Sequence, residues 1–129
     1  MPVAVETEIQ QYGEEDVTVQ TLAQMNWLVV VNTPLVPKVI QSYHLGAGES
    51  AVLTAAYVNQ NAEAIIDDLA ARRCAAALEI PVRGTLGLVL IAKQRGIIPA
   101  ARSIIEHLQK TGMYLSRDVI NKTLALIGE

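Results

Sequence analysis

The chain has 129 residues, a size that fits one domain able to bury a core unaided. Half of it is apolar (51%), with no Phe and few aromatics, so Val, Ile, Leu and Ala must fill that core. The absence of a membrane-length apolar run, of a basic n-region at the start and of a second cysteine argues against a membrane-spanning chain, a secretory leader and an internal disulfide, and makes the cytoplasm the expected compartment. Cys74, in an Ala-rich stretch, reads as small buried filler rather than a reactive thiol. The charge is unevenly spread. Residues 1–70 carry one base and nine acids, whereas residues 71–129 carry nine bases and four acids. An acidic, metal-binding half beside a basic half would suit a phosphate-bearing substrate.

In chain order, Pro2 suits the first turn of a helix over Pro2–Tyr12, which Tyr12-Gly13 ends. A polar loop follows, then a short helix over Val19–Met25. Trp27-Leu-Val-Val-Val31 is a continuous, β-branched apolar run and predicts a buried strand. Pro34 and Pro37 bracket a turn or short helix to Tyr43. Gly46 and Gly48 permit a tight entry into a helix over Ala51–Asn59. Ala64–Ile66 predicts a second strand, Leu69–Leu78 a helix, and Ile80–Arg83 a third strand. Helices follow over Leu88–Arg95, Ala100–Lys110 and Arg117–Ile127, the last with Ser116 as N-cap. Strands alternate with helices in the middle and helices dominate the end. The expected class is α/β, with a small parallel sheet flanked by helices and a helical C-terminal third. No linker or repeat appears, so one domain over 1–129 is expected.

Acids punctuate these elements. Glu8 lies on the first helix, Glu49 follows the two glycines, and Asp67 and Asp68 follow the second predicted strand. In open α/β sheets, sites form beyond the carboxyl ends of strands. Carboxylates gathered there repel one another, and a hard divalent cation relieves the repulsion. Such a site activates water or steadies a phosphate in hydrolysis. Each acid also has a plainer reading. Glu49 is a first-turn helix acid, Asp67 an N-cap, Asp68 a first-turn acid, and Glu8 a solvated helix glutamate. His44 and His107 lack a ligand-like partner nearby in sequence and read as surface residues. Arg72, Arg73, Lys93, Arg95 and Arg102 offer phosphate contacts, or simply solvated helix faces. No aromatic interleaving supports stacking on single-stranded bases. There is no P-loop, dinucleotide fingerprint or zinc pattern, and Ser50 has no triad context.

Three blocks carry a resemblance: Leu45-Gly-Ala-Gly-Glu-Ser-Ala51, Ile65-Ile-Asp-Asp-Leu-Ala-Ala-Arg72 and Gly84-Thr-Leu-Gly-Leu-Val-Leu-Ile-Ala-Lys93. Together with the start, Pro2-Val-Ala-Val-Glu-Thr-Glu8-Ile, and the tail from Gly96 to Ser116, they resemble a prokaryotic PIN-domain-like family related to toxin ribonucleases of toxin–antitoxin pairs. The likeness covers nearly the whole chain. It implies an α/β domain holding Mg²⁺ or Mn²⁺ among about four acids and cleaving RNA. By position, Glu8 resembles the second acid, Glu49 the third and Asp67 the fourth, with Asp68 beside it and Arg72 as the arginine that often follows. The family begins with a strand ending in aspartate, and this sequence shows no match to that segment. The resemblance therefore implies an N-terminally incomplete PIN-like domain with a weakened endoribonuclease site. The partners it implies are RNA, an antitoxin-like protein and further copies of the chain. The competing expectation is a non-catalytic interaction or oligomerisation module.

Overall fold

A computed structural model describes residues 1–129 as eight helices and a small two-stranded parallel sheet. The chain divides into two compact units, Met1–Val82 and Arg83–Glu129, each with its own core. No helix is long and apolar enough to cross a membrane.

In the first unit, Pro2 has the extended backbone its ring favours (φ -62°, ψ 145°). It launches α1 (Val3–Gln10) by accepting from the Val5 and Glu6 amides. Asp16 starts α2 (Val17–Gln24): its carboxylate accepts from the Thr18 amide at 2.8 Å. The predicted helix start at Val19 moves to Val17 for that reason. After Pro37 comes the single turn α3 (Lys38–Gln41). The long helix α4 (Ala47–Val58) packs against α1, α3 and the sheet. It begins four residues before the sequence placed it, because Gly46 acts as N-cap and Gly48 is itself helical. Thr54 is fully buried on α4 and donates its hydroxyl to the Ser50 carbonyl at 2.7 Å, so its burial leaves no orphan donor.

The sheet pairs β1 (Ala64–Ile65) with β2 (Val82–Arg83). Between them runs α5 (Leu69–Ala77). Both strands are shorter than their apolar runs, and the expected strand over Trp27–Val31 is absent. Only Val31 bridges, in parallel, to Pro2. Trp27 is 72% exposed and Val29 68% exposed, so this run is not buried. Ile40, Leu53, Ala56, Ala64, Ile66, Ala71, Cys74, Ala75 and Ile80 form the first core. Its many alanines let α4 and α5 approach closely, and full burial of Leu53 contributes on the order of 1.5–3 kcal/mol.

In the second unit, α6 (Thr85–Gln94), α7 (Ala101–Lys110) and α8 (Arg117–Ala125) pack around Val89, Ala101, Ile105 and Leu124. Helix α6 starts three residues earlier than expected, with Gly84 as its N-cap. Ser116 caps α8 as expected, accepting from the Val119 amide at 3.3 Å. Gly112 turns the chain after α7 with φ +107°, a conformation strained for any residue with a Cβ.

Candidate acidic site

Three elements of the first unit deliver carboxylates to one cavity of about 280 Å³. Glu8 comes from α1, Glu49 from the first turn of α4, and Asp67 and Asp68 from the segment joining β1 to α5. Val5, Val52, Ile65 and Ile66 supply apolar walls. The period of α1 places Val5 and Glu8 on one face, three residues apart, and Val52 follows Glu49 by the same spacing on α4. The two helices thus present matching pairs, one acid and one valine each.

The strongest local link joins residues 40 apart in sequence. The Gly48 amide donates to Glu8 Oε1 at 2.9 Å. Gly48 is buried beneath this carboxylate, and a Cβ there would lie 2.6 Å from Glu8 Oε2. Glycine at 48 therefore makes room for the Glu8 carboxylate while its amide holds it. Glu49 folds its own carboxylate over Gly46, where a Cβ would collide with Glu49 Oε2. Both acids lie at the N-terminal end of α4, whose unpaired amides carry partial positive charge. That field offsets part of the repulsion between them.

Asp68, rather than Asp67, is the N-cap of α5. Its Oδ2 accepts from the Ala71 amide at 2.9 Å. Asp68 thus fixes the chain direction just after Asp67, takes the capping role expected of Asp67, and leaves Asp67 one residue outside the helix. Glu8 and Asp68 each commit an oxygen to a backbone amide.

The donor set is all carboxylate, which suits a hard cation such as Mg²⁺ or Mn²⁺. The side chains as placed do not bring three His, Cys, Asp or Glu groups close enough to enclose an ion. Mg²⁺ is commonly held by one or two carboxylates with waters and substrate phosphates completing the shell. The residues therefore fit a sparsely liganded cation, not a closed protein cage.

Arg72 and Arg73 are exposed on α5, in the same unit as the cavity. Lys93 and Arg95 belong to the second unit. Lys93 Nζ donates to the Pro99 carbonyl at 2.6 Å, tying α6 to the following loop, and Arg95 is exposed at the C-cap of α6. Arg102 Nη2 donates to the Glu129 carbonyl at 2.9 Å. His44 sits in left-handed backbone (φ 52°) and His107 on the exposed face of α7; neither lines the cavity. The contribution of Gly48 was not legible as such in sequence; the only trace was a second glycine where one would suffice for a turn.

A protein-family model described as a PIN domain matches residues 1–129. No curated protein and no solved structure gives a significant match.

Proposed function

The chain belongs to the PIN-domain family, and we propose that its acidic cavity serves a Mg²⁺- or Mn²⁺-dependent endoribonuclease of the toxin–antitoxin kind. The observation that carries this reading is the convergence of Glu8, Glu49, Asp67 and Asp68 on one cavity from three separate elements. A bound divalent cation would supply charge neutralisation at a phosphodiester and a water acidic enough to serve as nucleophile. Glu49 and Asp67 would offer it oxygens directly, and Glu8 the oxygen not held by Gly48. The Gly48 amide orients Glu8, and the Asp68 cap anchors the segment that carries Asp67. Arg72 and Arg73, exposed in the same unit, would contact RNA phosphates, as would Lys93 and Arg95 from the second unit. An antitoxin-like partner and association with further copies belong to the same proposal.

One observation favours a non-catalytic interaction module instead. No three acids converge tightly, and two already cap backbone amides. Cleavage of mixed RNA by the full chain with Mg²⁺ or Mn²⁺, and with chelator, separates the readings. The nuclease reading expects metal-dependent cleavage that Asp67→Asn and Glu49→Gln reduce by about 100-fold, the scale set by misplacing a reacting group. No cleavage supports the interaction module, whereas cleavage indifferent to metal and to both substitutions points to a contaminating nuclease.

A further inference from the structure

The acids around the cavity are not held alike. The Gly48 amide holds Glu8, the Ala71 amide holds Asp68, and Asp67 is engaged as well. Glu49 is half-buried, yet no hydrogen bond or ion pair fixes its carboxylate.

Glu49 has instead a place to lie. It is the third residue of α4 and turns back toward Gly46, the N-cap. Its Oε2 overlaps the position where a Cβ of residue 46 would stand, with Cδ 3.5 Å and Oε1 4.0 Å from that point. Glutamate at this helix position tends to reach back to the N-cap residue. The unpaired amides that open α4 favour an anion there. The backbone at 46 does not require glycine, because φ -61° and ψ 164° suit any residue. What glycine supplies at 46 is space for the Glu49 carboxylate.

With Glu49 lying over Gly46, no three acids stand close enough to enclose an ion. Glu49 nevertheless lines the same cavity as Glu8 and Asp67. Rotation about its side-chain bonds redirects its oxygens while the backbone stays in place. Without a cation, carboxylates gain by standing apart; around one, they gain by converging.

We propose that Glu49 is the movable ligand of the acidic site and Gly46 its positioning residue. In the metal-free chain the Glu49 carboxylate rests over Gly46. On binding Mg²⁺ or Mn²⁺ it leaves that place and turns into the cavity, so the resting place weakens the affinity of the site for the ion. The inference rests on the metal-binding reading of the cavity and adds to it the side chain that closes the site.

Gly46→Ala fills the resting place at a backbone conformation that alanine adopts. Free Mn²⁺, counted by electron paramagnetic resonance, should show this variant binding about three- to tenfold more tightly than the unaltered chain. That is the gain for a ligand otherwise in its binding position about 10–30% of the time. In a Glu49→Gln background the same substitution should change the affinity less than about twofold, as for uncoupled sites. A merely structural glycine would not yield a tighter site when replaced. In the unaltered, metal-free chain, nuclear Overhauser contacts should join the Gly46 Hα and Glu49 Hγ protons, and saturating Mg²⁺ should remove them. Unchanged or weaker Mn²⁺ binding in Gly46→Ala overturns the proposal and leaves metal binding by the cavity standing. So do Overhauser contacts that are absent without metal or persist with Mg²⁺ bound. Mn²⁺ binding by neither chain overturns the metal-binding reading itself, and this inference with it.

Discussion

Gly48 and Glu8 stand 40 residues apart, yet the Gly48 amide donates to Glu8 Oε1 at 2.9 Å and the missing Cβ of Gly48 is what leaves room for the carboxylate. One glycine thus joins the packing of α1 on α4 to the placement of an acid in the candidate site.

Gly48→Ala follows from this pair. The atoms a Cβ would meet are the far end of a flexible side chain, so Glu8 swings away and the backbone need not move. Losing a hydrogen bond to a charged group costs about 1.5–3 kcal/mol when buried. Here Glu8 is exposed, which lowers that cost, and Ala gains about 1 kcal/mol over Gly in a helix. Urea unfolding should therefore shift by no more than about 1 kcal/mol, while divalent-ion binding falls as it does in Glu8→Gln. A large loss of stability would show that Glu8 is held more rigidly than this balance allows.

Asp68→Ala should act on stability directly. It removes the side-chain acceptor for the Ala71 amide at the start of α5. N-cap substitutions of this kind cost about 0.5–2 kcal/mol. Denaturant titration should show the loss, and Asp68→Ser, which can still cap, should recover most of it.

Glu129 gives the second unit a pH dependence. Its carboxylate accepts from the Ala101 amide at 2.8 Å and the Arg102 amide at 3.3 Å, at the start of α7, where Ala100 offers no side-chain cap. The Ala101 hydrogen bond is the main cause holding its pKa below the ordinary 4.5; the Arg102 amide, Lys93 and Arg102 add to it against a smaller effect of burial. A carboxylate with a lowered folded pKa stabilises the fold above its unfolded pKa, and that contribution is lost as pH falls through the folded value. Protection of the Ala101 and Arg102 amides from hydrogen exchange, corrected for intrinsic rate, should hold at neutral pH and fall below about pH 4.5. In Glu129→Gln that step should vanish.

Cys74 is fully buried in the first core, and burial raises its thiol pKa. The thiolate is the reactive form, so a disulfide reagent at pH 7 should modify native protein only as fast as the chain opens. Immediate stoichiometric labelling would contradict the buried placement.

Particular elements explain how far the sequence could be read. The α/β alternation was legible because α5 and the apolar runs around β1 and β2 differ in period and composition. Ser116 was legible because its capping contact is local. Trp27–Val31 misled, since a β-branched run reports strand propensity but not whether a neighbour is present to pair with it. In the fold its partners are confined to Met1–Val3: Val31 bridges to Pro2 and the Val29 carbonyl accepts from the Met1 amino group. That Asp68 and not Asp67 caps α5 turned on a single residue at a helix boundary, where sequence signals are weakest. The meeting of Glu8 with Gly48 depends on α1 packing against α4, a long-range event that no local pattern encodes.

Binding of Mn²⁺ observed by NMR tests the central claim most directly, because a paramagnetic ion broadens the amides nearest to it whether or not RNA is cleaved. The account predicts selective loss of signal at Glu8, Gly48, Glu49, Asp67 and Asp68, competed by Mg²⁺ and abolished in the Glu49→Gln/Asp67→Asn chain. Broadening spread over other surface acids such as Glu14 and Glu15, or unchanged by that double substitution, would contradict it.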